Sequence, residues 1–66
     1  MRYLLVPKGV EYYYWAGPRL GFTTIRESAL RYVSEDIALL AATLVYEQQR
    51  KDWPKMRRIV VIEEEP

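Results

Sequence analysis

The feature that most constrains the fold is the segment 34–51, SEDIALLAATLVYEQQRK, which is long and periodic enough to predict a helix. Ser34 can cap the first turn, where Glu35 and Asp36 place negative charge beside the free N–H groups. Pro54 cannot continue helical hydrogen bonds, so the helix must end before it. We therefore predict the main helix over about residues 35–51.

This helix carries apolar side chains on two sides. At 100° per residue, the arc predicted to cover a sheet contains Ile37, Leu40, Ala41, Leu44 and Val45. A second stripe on roughly the opposite side contains Leu39, Ala42 and Tyr46. Such a stripe is either a set of isolated surface residues or a contact surface for another chain, including a second copy of this one.

Short β-favouring runs lie on both sides of the helix. Strands are predicted at about residues 2–6, 10–15 and 57–63, with the first two forming a hairpin and the last in the interior of the sheet. Alternation along the second strand puts Tyr12 and Tyr14 on one face and Tyr13 and Trp15 on the other. A capping pattern of Thr24 and Glu27 predicts a short helical turn at about 25–30. The predicted fold is a single α+β domain, a ββαβ unit with a small antiparallel sheet of about three strands and the main helix packed on one face.

Composition excludes several classes of function. The 66 residues include no cysteine and no histidine, so disulfides and the usual zinc ligand sets are absent. We expect no catalytic residues, no metal site and no cofactor, because adjacent Glu35 and Asp36 are explained by the helix start. The segment MRYLLVPKG has too short an apolar run for a signal peptide, and no stretch is long enough for a membrane span. These features predict a non-enzymatic cytoplasmic protein.

Several positions carry a resemblance to a known kind of protein. An aromatic strand and a glycine-rich turn are followed by Phe22, Thr23, Ala29, Tyr32, Ser34 and Ala38. This order is similar to that of small phage and prophage proteins of a ββαβ type. Those proteins include inhibitors of bacterial defence systems, such as anti-CRISPR proteins. The resemblance implies a protein of the bacterial host cytoplasm that binds and inhibits a host complex such as a CRISPR–Cas effector, and it implies no functional residues.

Two kinds of partner are compatible with the residues. Interfaces between proteins favour tyrosine, tryptophan and arginine, so the predicted protein-binding residues are Leu39, Ala42, Tyr46, Tyr13, Trp15 and Arg19. The alternative is nucleic acid, bound by a basic run with a stacking tryptophan, namely Arg50, Lys51, Trp53, Lys55, Arg57 and Arg58. A net charge of +1 makes the protein partner, with homodimerisation as one form of it, the preferred interpretation.

Overall fold

The computed structural model describes residues 1–65 of the chain. Their elements are β1 (Arg2–Lys8), β2 (Tyr14–Trp15), β3 (Phe22–Thr23), a 3-10 turn (Arg26–Ser28), α1 (Glu35–Gln49) and β4 (Arg58–Glu64). The α+β class, with antiparallel strands and one main helix on a sheet face, is confirmed.

The first strand pairs with the last strand and not with its neighbour in sequence. β1 runs antiparallel to β4 from Arg2↔Glu64 to Lys8↔Arg58, and β2 pairs with β3. The predicted hairpin between residues 2–6 and 10–15 is therefore wrong. Gly9 and Tyr12 both have positive φ, 98° and 67°, and these bends interrupt the chain between β1 and β2, which lie close together without pairing in one sheet.

A short extended segment, Leu30 to Tyr32, connects the two strand pairs. Tyr3 and Tyr32 exchange backbone hydrogen bonds of 2.8 and 2.9 Å, and the Leu30 N–H donates to the Trp15 carbonyl at 2.8 Å. This segment occupies the edge of β1 that the predicted hairpin needed. Within residues 1–65, β4 pairs with β1 alone, so its predicted interior position is also wrong.

The start of α1 is confirmed, and its end comes slightly earlier than predicted. The Ser34 hydroxyl accepts a hydrogen bond from the Ile37 N–H at 3.4 Å. The helix ends at Gln49, whose carbonyl accepts from the Trp53 N–H at 3.1 Å. In contrast, the 3-10 turn begins after Ile25 with no side-chain cap, so the predicted Thr24–Glu27 capping pattern is wrong.

The helix packs on the sheet through its smallest side chains. Ala38, Ala42 and Val45 are buried against Leu5 and Trp15. The aromatic rings that fill the rest of this layer are those of Tyr3, Trp15, Phe22 and Tyr32. Because interiors are close-packed, rings of this size leave room only for small side chains where the helix comes nearest.

This packing corrects the predicted core arc. Ala41 and Val45 do contact the core, but Ile37, Leu40 and Leu44 are exposed. The predicted core arc and the observed buried face differ by a rotation of the helix about its axis. The volume of the aromatic rings on the sheet determines which of the two is buried. The leucines consequently face away from the sheet.

Candidate functional site

The candidate site is the apolar side of α1 that points away from the sheet. We call Val33, Ile37, Leu40 and Leu44 the outward helix face. Their exposed fractions are 82%, 55%, 69% and 63%. Ile37, Leu40 and Leu44 are spaced by three and four residues, which places them on one line of α1 opposite Ala42, and Val33 precedes the N-cap Ser34 just before the helix begins. Single exposed apolar residues are ordinary, but a contiguous row along a helix marks an interaction site.

Charged side chains lie at both ends of the outward helix face. Glu35 and Asp36 are exposed in the first turn, where the N-terminal end of the helix dipole favours negative charge. Arg50 and Lys51 are exposed at the opposite end, and the Arg50 Nε lies 4.0 Å from the Glu47 carboxylate. The face therefore carries acidic groups at one end, leucines in the middle and basic groups at the other.

The predicted second stripe of the helix divides between core and surface. Ala42 is buried and cannot be a contact residue, which corrects its assignment. Leu39 is half exposed and Tyr46 half buried, and both line a cleft of about 310 Å³ beside the sheet edge. Arg57 and Arg58 line the same cleft. Leu39 and Tyr46 thus belong to the wall of this cleft and not to the outward helix face.

The other predicted protein-binding residues do not form one surface. Trp15 is buried with its ring 5.2 Å from that of Phe22, so it is a core residue and its assignment to a binding surface is wrong. Tyr13 is half buried and packs edge-on against Trp53 at 4.9 Å. Arg19 lies at the exposed tip of the glycine-rich loop. That loop is closed by a hydrogen bond from the Gly21 N–H to the Gly17 carbonyl.

The basic run lacks the stacking group that the nucleic-acid alternative assigned to it. Trp53 is half buried between Tyr13 and Phe22, with ring centroids at 4.9 and 5.1 Å, so its ring serves the core. The exposed cations of the run are Arg50, Lys51, Lys55, Arg57 and Arg58. Base stacking requires a free aromatic face, which the predicted residue does not offer.

The strongest electrostatic cluster lies around Glu64 at the end of β4. Its carboxylate accepts hydrogen bonds from Arg31 Nε at 2.7 Å and from Arg26 Nε at 3.2 Å. Arg31 also donates to the Ala29 carbonyl at 2.9 Å. The Arg31 guanidinium, opposed in part by burial, lowers the pKa of Glu64, and the hydrogen bond to Glu64 raises the pKa of Arg31. Every strong group in this cluster is paired, which is typical of a structural clamp.

Metal-ligating side chains do not cluster within residues 1–65. No group of three or more acidic side chains there is placed to hold a metal ion. None of the helices in that range has the length and apolar character that a membrane crossing requires.

Sequence reasoning missed the outward helix face because it assigned Ile37, Leu40 and Leu44 to the core. One signal in the sequence could have identified it. Ala38, Ala41 and Ala42 form a line of small residues on one side of the helix, which suits close approach to a surface crowded with aromatic rings. The aromatic content of the strands would then have assigned the leucines to the other side.

Comparisons with known proteins found no matching family model, no matching curated protein and no matching solved structure. The geometry of this chain is therefore the basis for its functional interpretation.

Proposed function

We propose that this protein acts by binding another protein chain, with the outward helix face as the contact surface. The observation that carries the proposal is the orientation of α1, which buries its alanines and exposes Ile37, Leu40 and Leu44 to solvent. A surface helix of a globular protein ordinarily buries its largest apolar residues. A partner that covers these side chains removes their apolar area from water, and each Å² buried stabilises the complex by about 25 cal/mol.

The size of the domain supports the same proposal. A chain of about 60 residues buries only about 60% of the surface that its unfolded form exposes, so its own core contributes little stability. Withholding three large aliphatic side chains from that core reduces its stability further. A partner would recover this stabilisation by mass action, because it binds the folded state alone.

The resemblance to phage proteins suggests a host target as one partner of this module. Inhibition of a host complex such as a CRISPR–Cas effector is the finer form of the proposal, and its support is the resemblance in residue order alone. The nucleic-acid alternative needed Trp53 as a stacking group. That ring is packed against Tyr13 and Phe22, so protein is the preferred partner.

Affinity capture from a bacterial lysate tests the proposal. The test variant is Leu40→Glu/Leu44→Glu, which places two carboxylates on the outward helix face. The control is Thr24→Glu/Ser28→Glu, which adds the same charge at exposed positions outside α1. We expect the wild type and the control to retain a specific protein that the test variant loses, with all three folded by circular dichroism. Equal capture by all three variants, in a chain that also stays monomeric, would contradict the proposal.

A further inference from the structure

The outward helix face has the charge distribution of a self-complementary surface. Asp36, Thr43 and Arg50 are spaced by one heptad, so they lie along one flank of the face. Asp36 is at the acidic end, Thr43 at the middle and Arg50 at the basic end. A second α1 laid antiparallel across the face therefore meets opposite charges at both ends.

The apolar residues agree with the same arrangement. When two copies of α1 lie antiparallel and are centred on Ala42, the midpoint of Glu35–Gln49, Leu40 of each copy lies beside Leu44 of the other. Asp36 of each copy then lies opposite Gln48 of the other, about 3 Å along the axis from Arg50, a distance that the long Arg50 side chain spans. A parallel pair would instead bring the acidic ends together and the basic ends together, which is destabilising.

We infer that the partner of the outward helix face is a second copy of this chain, in an antiparallel homodimer whose contact is α1 against α1. This inference rests on the proposed function and names its partner. Each helix is then enclosed between its own sheet and the helix of the other copy. The two-fold axis crosses the outward helix face at the level of Ala42, between Leu40 and Leu44, so every contact occurs twice, as in other isologous interfaces.

The expected affinity is modest. Fifteen residues of helix span about 22 Å, and a single helix face of that length buries less than the roughly 800 Å² per partner of a standard interface. The dimer should therefore dissociate on dilution. Sedimentation equilibrium should show a mass rising with concentration from 7.9 kDa toward twice that value.

Two variants test the surface. Leu40→Glu/Leu44→Glu should raise the dissociation constant by about tenfold or more, the effect of losing interface anchors. Thr24→Glu/Ser28→Glu should leave it unchanged. An association that survives the first variant overturns the inference, because it must use another surface, such as the edge of β4.

The charge pairing has its own test. Arg50→Asp places two acidic groups together at each end of the dimer and should weaken it. Adding Asp36→Arg to Arg50→Asp exchanges the charges and should restore association. Failure of the second change to restore any affinity, in a variant folded by circular dichroism, would overturn the antiparallel register.

Introduced cysteines test the orientation directly, since the chain has no cysteine of its own. In the antiparallel dimer, position 37 of one copy faces position 47 of the other. Position 37 of one copy lies about 15 Å along the axis from position 37 of the other, and the same holds for the two positions 47. These separations exceed the roughly 7 Å that a disulfide spans between Cα atoms. A mixture of Ile37→Cys and Glu47→Cys chains should therefore form a mixed disulfide under mild oxidation, whereas each variant alone should not. Cross-linking of each variant with itself would instead indicate a parallel pair and overturn the inference.

The outcomes separate this inference from the proposed function. A chain that stays monomeric at all concentrations, yet loses a captured lysate protein through Leu40→Glu/Leu44→Glu, overturns the homodimer and leaves the protein-binding proposal standing. A monomer whose lysate capture is unaffected by that variant overturns both.

Discussion

At the scale of single residues, Gly9 shows how the two ends of the chain are brought together. It follows β1 directly and has φ of +98°, a conformation that side chains rarely adopt. A Cβ at this position would overlap the backbone carbonyl oxygen of Lys55. The close approach allows the Arg57 N–H to donate to the Lys8 carbonyl at 2.7 Å, just before β4 begins. Gly9 thus permits the contact that starts the β1–β4 pairing.

Two glycine substitutions separate strain from collision. Gly21 also has a positive φ, +72°, but a Cβ there meets nothing within 4 Å. Gly21→Ala should therefore cost only the left-handed backbone penalty, about 1 kcal/mol. Gly9→Ala must in addition displace the Lys55 backbone, and should lose about 1–3 kcal/mol more. Urea unfolding of both variants measures the difference. Equal losses would show that the Gly9 turn accommodates a side chain.

At the scale of elements, α1 is defined by the contrast between its two faces. The buried face contains Ala38, Ala42 and Val45, and the large side chains of Leu40 and Leu44 lie outside. Helix position and length follow from the Ser34 cap and Pro54, but neither signal specifies rotation about the axis. The rotation is decided by the rings of the sheet, which occupy the volume that leucines would need.

Substitutions on the buried and exposed faces of α1 should therefore have effects on stability opposite to those expected from the predicted core arc. If Leu44 were a core residue, Leu44→Asp would unfold the protein. Because Leu44 is exposed, this change should alter the free energy of unfolding of the dilute monomer by less than about 1 kcal/mol. Ala42→Leu should destabilise it by about 1–3 kcal/mol through overpacking. Thr43→Leu, which adds a similar side chain at the neighbouring exposed position, is the control. Chemical denaturation followed by circular dichroism decides the matter, and loss of cooperative unfolding in Leu44→Asp would return Leu44 to the core.

At the scale of the whole molecule, the Glu64 cluster connects segments that are far apart in sequence. Arg31 and Arg26 lie 33 and 38 residues from Glu64, and both donate to its carboxylate. The Arg31 guanidinium also donates to backbone carbonyls of the segment that precedes it. The cluster therefore clamps the end of β4 onto the loop that leads into α1.

The lowered pKa of Glu64 predicts a pH-dependent contribution to stability. A carboxyl whose pKa is lower in the folded than in the unfolded state stabilises the fold above its ordinary pKa. That contribution is lost as the pH falls through the lowered folded-state value. Glu64→Gln should therefore be less stable than the wild type near neutral pH, and the difference should shrink on acidification. The control is Glu63→Gln, which removes an exposed carboxylate outside the ion pairs of residues 1–65. A wild-type–Glu64→Gln difference that stays constant with pH would contradict the clamp.

Several features of this protein were determined by the sequence alone. Ser34 specified the start of α1, Pro54 placed a stop after it, and the β-favouring run near the end of the chain became β4. The glycine-rich turn that follows the aromatic strand was also predicted correctly, and it is closed by the hydrogen bond from the Gly21 N–H to the Gly17 carbonyl. These features depend on capping, backbone restriction and local propensity, which act within a few residues of each other.

The strand partners and the buried face of the helix were decided only by the tertiary structure. β1 could have paired with the segment next to it, but the bends at Gly9 and Tyr12 and the hydrogen bonds of Tyr32 assigned its two edges elsewhere. A helix that is apolar on nearly all sides has no periodic signal strong enough to choose one. The choice depends on side-chain volumes contributed by strands distant in sequence, and those volumes are fixed only when the sheet is assembled.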